Sequence, residues 1–251
     1  MDYVALGKTK LMASRVGFGA MSLKDIQSEE DAAVLVHKAY DAGVNFFDIS
    51  HTVPESEKRL GACLHGIRQN VLLSTKAQVL DARDLADDLE ASLEALQTDY
   101  VDLFQYEVSE KALADFDKVS EQMQRLVERN KIRHFGLAAE SLEIAKEALE
   151  SGVFETIQAP FNMLTGSDGE LLAKEAAQKD IGLIAMKPLY GGLVQNLPLA
   201  LGYLYQFENV VPLWGARTIE ELEQILYFND HPPKLDELFL AEVEKSRAFF
   251  N

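Results

Sequence analysis

Three features of the 251-residue sequence predict a closed (β/α)8 TIM barrel with an N-terminal β-hairpin and a C-terminal helix. Short apolar runs alternate with amphipathic helical stretches, and this alternation occurs eight times along the chain. No linker, charge block or low-complexity tract divides it. Repeated strand–helix units of this number are typical of a parallel barrel. We therefore expect residues 1–251 to form one barrel domain.

The candidate strands are mainly apolar runs of three to six residues bounded by polar or turn residues. In chain order they are Val16–Gly19, Asn45–Asp48, Val71–Thr75, Val101–Gln105, Ile132–Leu137, Thr156–Gln158, Gly182–Met186 and Val210–Leu213. Ahead of them, Gly7-Lys8 separates Tyr3–Leu6 from Lys10–Ala13, which predicts a hairpin that caps the barrel floor.

The stretches between the strands have helical periodicity. Two apolar helix faces are Leu85, Leu89, Leu93 and Leu96, and Leu142, Ala145, Ala148 and Leu149. Ser151-Gly152 is a stop signal after the second face, and Lys234–Phe249 predicts a last helix packed outside the barrel. A doubly wound open sheet is the alternative. The turn Gly17–Ser22 lacks the third glycine of its dinucleotide fingerprint, which favours the barrel.

The amino-acid composition limits which binding partners and which cellular compartment we expect for this protein. Asp and Glu outnumber Lys and Arg by 41 to 24, a formal net charge of −17, so we expect no binding to nucleic acid or anionic membranes. Cys63 is the only cysteine, which excludes an internal disulfide and an all-cysteine metal site, and we expect no metal. Met1-Asp2-Tyr3 does not resemble a signal peptide, and we expect a cytoplasmic protein.

Ionisable residues follow three successive candidate strands. Asp48 ends the second strand, Lys76 follows the third and Glu107 follows the fourth. Barrel enzymes place their chemistry where strands end, so we expect these side chains to meet at the barrel mouth, with Lys76 in salt-bridge reach of Asp48. The alternative interpretation is an ion-pair network with no catalytic role.

The second carboxyl group has aromatic neighbours in the sequence. Phe47, Phe104 and Tyr106 are expected to shield Glu107 from water. A carboxyl group in an apolar setting can hold a proton near neutral pH and donate it. Glu107 is therefore a candidate proton carrier.

Several segments resemble the aldo-keto reductases, in order and over nearly the whole chain. They are Leu6-Gly7-Lys8-Thr9, Ser14–Gly19, Ala42–Asp48, Ser56-Glu57 with Leu60-Gly61, Thr98–Leu103, Ile132–Gly136, Gln158–Asn162 and Gly182–Leu189. The last two most resemble the branch that often carries a C-terminal iron–sulfur extension, which this sequence lacks. The resemblance implies the barrel fold and an oxidoreductase that uses NADPH.

The family's catalytic tetrad of aspartate, tyrosine, lysine and histidine is only half retained. The resemblance places the aspartate on Asp48 and the lysine on Lys76, whereas Val53 stands at the tyrosine position and Glu107 at the histidine position. Valine cannot donate a proton. Glutamate at the histidine position is also found in steroid 5β-reductases, which reduce a conjugated C=C bond.

Another residue is needed to replace the tyrosine. His51, in the loop after Asp48, is the first candidate acid, because histidine is the side chain most often used for proton transfer at physiological pH. Tyr106 is a second candidate, although strand alternation turns it away from the mouth, and Tyr190 is a third.

The cofactor contacts implied by the resemblance are also incomplete. Gln158 remains at the nicotinamide carboxamide, but Ala138-Ala139 replaces the family's Ser-Asn, and Met186 replaces the stacking aromatic. Leu189 is also expected to contact the cofactor. Gly215, Arg217 and Thr218 resemble the phosphate-binding turn at a helix start. Glu221 and Ile225 stand where the family often has phosphate-binding and adenine-binding residues.

The leading hypothesis is a divergent oxidoreductase that uses NAD(P)H, nominally NADPH, to reduce a small-molecule carbonyl or an activated C=C bond. The alternatives are a cofactor-independent dehydratase, isomerase or lyase that uses Glu107 and Lys76, and a non-catalytic binding or regulatory protein. The sequence specifies neither the substrate nor the oligomeric state.

Overall fold

The barrel is built as the strand–helix alternation predicts. A computed structural model describes residues 1–108 and 115–250, so residues 109–114 and 251 of the expected domain lie outside the described residues. Within the described part, eight parallel strands close a barrel, the last pairing with the first. They are β3 (Gly17–Gly19), β4 (Phe46–Asp48), β5 (Leu72–Ala77), β6 (Val101–Val108), β7 (Ile132–Ala139), β8 (Thr156–Pro160), β9 (Gly182–Met186) and β10 (Val210–Trp214).

Helices connect the strands and form the outer layer. They are α1 (Glu29–Asp41), α2 (Pro54–Leu64), α3 (Leu85–Ala95), α4 (Phe116–Glu128), α5 (Leu142–Ser151), α6 (Gly166–Gln178), α7 (Leu197–Leu204) and α8 (Ile219–Asp230), with α9 (Glu237–Phe250) after them. The predicted stop of α5 is confirmed, because Gly152 takes the left-handed conformation with φ 69°. The last helix begins three residues later than predicted, because Pro232-Pro233 precedes it and Asp236 caps the Phe239 N–H.

The predicted hairpin is present and closes the barrel floor. Strands β1 (Tyr3–Ala5) and β2 (Met12–Ser14) pair antiparallel, and Val4, Leu6 and Ala13 join the apolar cluster inside the barrel. Gly7 has φ +52°, and a β-carbon there would lie 2.4 Å from the Asp180 carbonyl oxygen, so the turn requires glycine. The floor is therefore sealed, and the mouth at the strands' C-terminal ends is the open side.

Five strands end later than the sequence predicts, namely β5, β6, β7, β8 and β10, and two of these extensions carry candidate site residues. β5 continues to Ala77 and β6 to Val108, so Lys76 and Glu107 lie on strands and not in the loops after them. The added strand residues pair with their neighbours, Lys76 with Gln105 and Glu107 with Ala138. Because strand side chains alternate, this extension fixes which face of the barrel wall each side chain reaches.

Candidate active site at the barrel mouth

Asp48 and Lys76 form a buried ion pair inside the barrel. The Lys76 ammonium lies 2.6 Å from Asp48 Oδ2, and the two side chains are each about 3% exposed. Strand pairing sets this distance: Asp48 is opposite Ser74, and Lys76 comes two residues later on the same inward face of β5. Lys76 also donates to the Ile49 carbonyl oxygen at 2.8 Å. The predicted salt bridge is thus present at the mouth.

Three neutral polar side chains surround the Asp48 carboxylate. Ser74 Oγ donates to Oδ1 at 2.8 Å, and the amides of Gln105 and Gln158 donate at 3.3 and 3.4 Å. The Gln105 amide also donates to Gln158 Oε1 at 2.7 Å. Buried charges persist in proteins when they are paired and hydrogen-bonded, and this carboxylate has both kinds of partner.

Gln158 lies where the sequence predicts, but both ends of its amide are engaged. Its oxygen accepts from Gln105 and its nitrogen donates to Asp48. A ligand carboxamide therefore meets a Gln158 that already has protein partners. The Gln158 amide still has a second N–H and a second oxygen lone pair for a new contact.

Glu107 lies on the wall of the same cavity, on β6. Ser50 Oγ donates to Glu107 Oε2 at 2.9 Å. The structure therefore brings Asp48, Lys76 and Glu107 to one cavity. Ser50 was not predicted from the sequence, since a serine in a loop carries no positional signal.

The predicted aromatic shield around Glu107 is wrong. Phe47, Phe104 and Tyr106 all belong to the apolar layer between the strands and the outer helices. Their strand positions alternate with the inward residues Asp48, Gln105 and Glu107, and so their rings point outward. Tyr106 is completely buried, and its hydroxyl group donates to the Val79 carbonyl oxygen at 3.4 Å.

The structure does not bring His51 to the mouth. The His51 N–H of the main chain donates to the Lys76 carbonyl oxygen at 2.8 Å, and the ring is directed outward between α2 and α3. Its Nδ1 lies 3.0 Å from Ser92 Oγ and 3.6 Å from Glu57 Oε2, and its Nε2 lies 3.8 Å from Asp88 Oδ1. The ring lines a separate surface cavity, so we include His51 in no catalytic step.

Val53, at the family's tyrosine position, directly precedes α2. It is the N-cap residue with φ −128° and ψ 67°, and Pro54 follows as the first helical residue. Proline is favoured at that position because its missing N–H has no partner there in any case. The loop after β4 is therefore built to start a helix, and it contains two hydroxyl groups, on Ser50 and Thr52.

A cavity of about 1010 Å³ opens above the ion pair. Its wall includes the predicted residues Gln158, Met186, Leu189 and Gly215. Small residues form much of the rest, among them Gly19, Ala138, Ala139, Gly191 and Gly192. Trp214, which is 2% exposed, also lines it. The volume matches that of sites for large organic ligands.

Lys187, on the same wall, was not predicted as a site residue. It has φ +56°, and Tyr190, Gly191 and Gly192 after it also have positive φ. The Lys187 carbonyl oxygen accepts the buried Asn162 side-chain amide at 3.0 Å, which supports this conformation. Left-handed backbone at a non-glycine residue is costly and clusters at functional sites.

Arg217 and Thr218 lie outside this cavity wall, in the turn before α8. Thr218 caps the helix by accepting the Glu221 N–H, and Glu221 Oε2 accepts the Arg217 N–H at 2.7 Å. This arrangement is similar to a capping box, except that the Glu221 carboxylate accepts from the residue before the N-cap. Of the three residues predicted for the phosphate-binding turn, Gly215 lines the cavity, whereas Arg217 and Thr218 are exposed and do not line it.

Cys63 is outside the site. Burial raises the pKa of its thiol to about 11, with the Glu29 carboxylate adding to the effect, so the thiol stays protonated near neutral pH. The side chain is buried and packs in the apolar core.

The fold and the mouth together define a (β/α)8 barrel with a buried Asp–Lys pair beneath a large cavity. Residues 15–197 match the model of the aldo/keto reductase family, and the chain belongs to that family. Membership supports an oxidoreductase function.

Two relatives illustrate the similarity. Over 216 residues the chain is 27% identical to aldo-keto reductase YhdN of Bacillus subtilis, covering 78% of this chain and 63% of that protein. Over 211 residues it is 31% identical to L-galactose dehydrogenase of Arabidopsis thaliana, covering 76% and 66%. The matched region thus spans less than two thirds of either relative.

Solved structures show the same fold. The aldo-keto reductase AKR11C1 from Bacillus halodurans, described as a holo form, superposes with a TM-score of 0.85 at 21% identity, covering 98% of this chain and 96% of that one. PA4992, a putative aldo-keto reductase from Pseudomonas aeruginosa, gives a TM-score of 0.78 at 23% identity, with 89% and 93% covered. Across residues 1–108 and 115–250, no helix has the length and apolarity to cross a bilayer.

Proposed function

We propose that this protein is an NAD(P)H-dependent oxidoreductase that reduces a carbonyl group or an activated C=C bond of a small molecule. One observation supports this most directly: the Lys76–Asp48 pair and the Glu107 carboxyl group face the same cavity of about 1010 Å³. A cation and a proton donor at one wall are what reduction of a polar double bond needs.

The cavity residues fit a nicotinamide dinucleotide in shape. At Gly191 and Gly192 an added β-carbon would meet no atom within 4 Å, and their positive φ values suit glycine, so backbone can approach a ligand there. Met186 offers an apolar platform for a planar ring, and Lys187 is a cation beside the glycines that suits a diphosphate. When bound, the reduced dinucleotide would supply the hydride.

The turn before α8 does not favour binding of a 2′-phosphate on the dinucleotide. The family resemblance places that phosphate at the turn before α8, where Glu221 already holds the Arg217 N–H. A phosphate there must displace a carboxylate or lie beside it, and like charges repel. We therefore extend the proposal to NADH as well as NADPH.

In this proposal the chain's own residues divide the work. Lys76, held by Asp48 and the Ile49 carbonyl oxygen, provides positive charge to stabilise negative charge that develops on the substrate oxygen. Glu107, the ionisable group at the family's histidine position, donates the proton. Val53 takes no part, because a valine side chain has no proton to give.

A fluorescence and activity experiment tests the proposal. Trp214 lines the cavity and is the only tryptophan, so its emission should change saturably as NADH or NADPH is added. With bound nucleotide, Glu107→Gln should lower the reduction of activated aldehydes and enones by about 10²–10⁴-fold, the usual contribution of a general acid.

The matched control is Glu143→Gln, an exposed carboxylate on α5, which should behave as the unmodified protein does. Absence of any nucleotide binding would overturn the cofactor proposal. Full activity in Glu107→Gln would remove Glu107 from the chemistry.

A further inference from the structure

A line of hydroxyl groups connects Glu107 to the protein surface. Ser50 is completely buried, and its Oγ donates to Glu107 Oε2 at 2.9 Å. On its other side, Ser50 Oγ lies 2.8 Å from Thr52 Oγ1. Thr52 is exposed to solvent, whereas Glu107 lines the cavity. Two hydroxyl groups therefore span the distance from bulk water to the proposed acid.

The hydrogen bonds in this line have one direction. Ser50 has a single hydroxyl proton, and it donates that proton to Glu107 Oε2. Between the two hydroxyl groups, Thr52 must then be the donor. The Thr52 N–H also donates to Ser50 Oγ, at 3.3 Å. Both hydroxyl protons therefore point toward Glu107, the orientation that delivers a proton inward.

The loop that holds these hydroxyl groups is fixed to the barrel wall. The Ile49 N–H donates to the Ser74 carbonyl oxygen at 3.0 Å, and the His51 N–H to that of Lys76 at 2.8 Å. The Val53 N–H closes a turn on the Ser50 carbonyl oxygen at 3.0 Å, directly before α2 begins. These main-chain contacts keep Ser50 against Glu107.

Other side chains near the mouth offer a poorer route. Asp48, Lys76, Ser74, Gln105 and Gln158 are all buried and bonded mainly to one another. The His51 ring, which could carry a proton, is directed to Ser92 and Glu57. A bound nucleotide and substrate would fill the cavity and exclude water from its side of Glu107.

We propose that Thr52 and Ser50 form a proton relay that recharges Glu107 from solvent after each turnover. This inference rests on the proposed function. A bound reduced nicotinamide would supply the hydride to the substrate carbon and would itself be oxidised, and Glu107 donates its proton to the substrate oxygen. The carboxylate then takes the Ser50 proton, Ser50 takes that of Thr52, and Thr52 takes one from water. The balance is one hydride and one proton per double bond reduced.

Three variants test the relay. Ser50→Ala removes the buried hydroxyl group, Thr52→Val removes the exposed one at nearly constant shape, and Thr52→Ser is the matched control that keeps it. In Ser50→Ala and Thr52→Val, kcat should fall by about tenfold or more, part of the 10²–10⁴-fold contribution of the acid itself. The nucleotide Kd and the substrate KM should not change, and Thr52→Ser should retain kcat.

Two readouts separate proton delivery from a merely structural role. The solvent deuterium isotope effect on kcat should grow in Ser50→Ala, because reprotonation becomes rate-limiting. The rate of that variant should also rise with imidazole concentration at fixed pH, since a small proton donor can take the place of the missing hydroxyl group and recharge Glu107. The relay would be overturned if kcat falls in Ser50→Ala while the isotope effect stays the same and imidazole does not raise the rate.

The outcomes also separate this inference from the proposed function. An active unmodified protein with fully active Ser50→Ala and Thr52→Val variants would overturn the relay and leave the reductase proposal standing. An unmodified protein that binds nucleotide yet reduces no aldehyde or enone would overturn the proposed function, and the relay would fall with it.

Discussion

Two buried aspartates, one at each end of the barrel, have different partners. Asp48 at the mouth is 2% exposed and pairs with Lys76, and Asp102 near the floor is 1% exposed and pairs with two arginines. Arg68 and Arg133 reach Asp102 at 3.0 and 2.8 Å, and the Leu73 N–H donates to it at 3.0 Å.

The difference lies in the cation and in what adjoins it. Both guanidinium groups at the floor stack on Tyr100, at 4.3 and 4.5 Å from the ring centroid, and Arg133 is 52% exposed. Arginines placed in this way have a structural role. Lys76 is instead a compact charge, 3% exposed, beside a cavity. A buried aspartate alone thus indicates nothing about function. The cavity and the lysine make the mouth the candidate site.

The largest effect is expected from Lys76→Met. This variant leaves the Asp48 carboxylate buried without its cation, and loss of one partner from a buried pair typically costs about 3–5 kcal/mol. Urea unfolding at pH 7 measures the loss. Lys131→Met is the matched control, because its pair with Glu90 is partly exposed and should contribute under about 1 kcal/mol. Unchanged stability of Lys76→Met would mean that the mouth is as solvated as the surface.

A smaller effect, and one confined to stability, is expected from Asp102→Asn. The floor loses charge-assisted hydrogen bonds of about 1.5–3 kcal/mol, offset in part because Arg133 can turn to solvent. Nucleotide affinity by Trp214 fluorescence and the activity per folded molecule should stay at the values of the unmodified protein. A clear change in either would break the distinction between the two aspartates and would link the floor to the mouth.

The same contrast shows how far the sequence predicts this molecule. The alternation of apolar and polar residues predicts all eight strands and the hairpin, because burial on a barrel wall depends on local pattern. The positions of Asp48, Lys76 and Glu107 follow from strand order. The predicted ends of the strands are less accurate than their positions, since the extension of β5 and β6 depends on pairing between strands distant in sequence.

The details of the site depend on contacts that a sequence pattern does not contain. Ser74 and Gln105 are polar residues on inward strand positions, and their spacing of two from Lys76 and Glu107 was the available signal for them. Ser50 and His51 are adjacent, yet one faces Glu107 and the other the outer helices. Their directions are set by main-chain bonds to β5, which only the fold reveals.

The smallest effect tests a third carboxylate, at the floor, through its pH dependence. Glu155 lies before β8, with His134 Nδ1 at 3.0 Å and the Phe135 N–H donating at 3.1 Å. Burial acts to raise the pKa of Glu155, but the hydrogen bonds from His134 and Phe135 outweigh it and hold the pKa below its ordinary value. Ionised Glu155 therefore stabilises the fold above the ordinary glutamate pKa, and this stabilisation is lost as the pH falls through the lowered value.

The variant Glu155→Gln should accordingly be less stable than the unmodified protein at pH 7. The difference should stay under about 1 kcal/mol, because both side chains of the pair are partly exposed and solvent screens their interaction. Urea unfolding at pH 7, 5 and 3.5 should show it persisting at pH 5 and shrinking at pH 3.5. Glu150→Gln, an exposed carboxylate on α5, is the control and should show little difference at any pH. A stability difference for Glu155→Gln that grows toward pH 3.5 would contradict the sign of the pKa shift. A difference as large as that of Lys76→Met would place the strongest charge interaction at the floor and reverse the comparison.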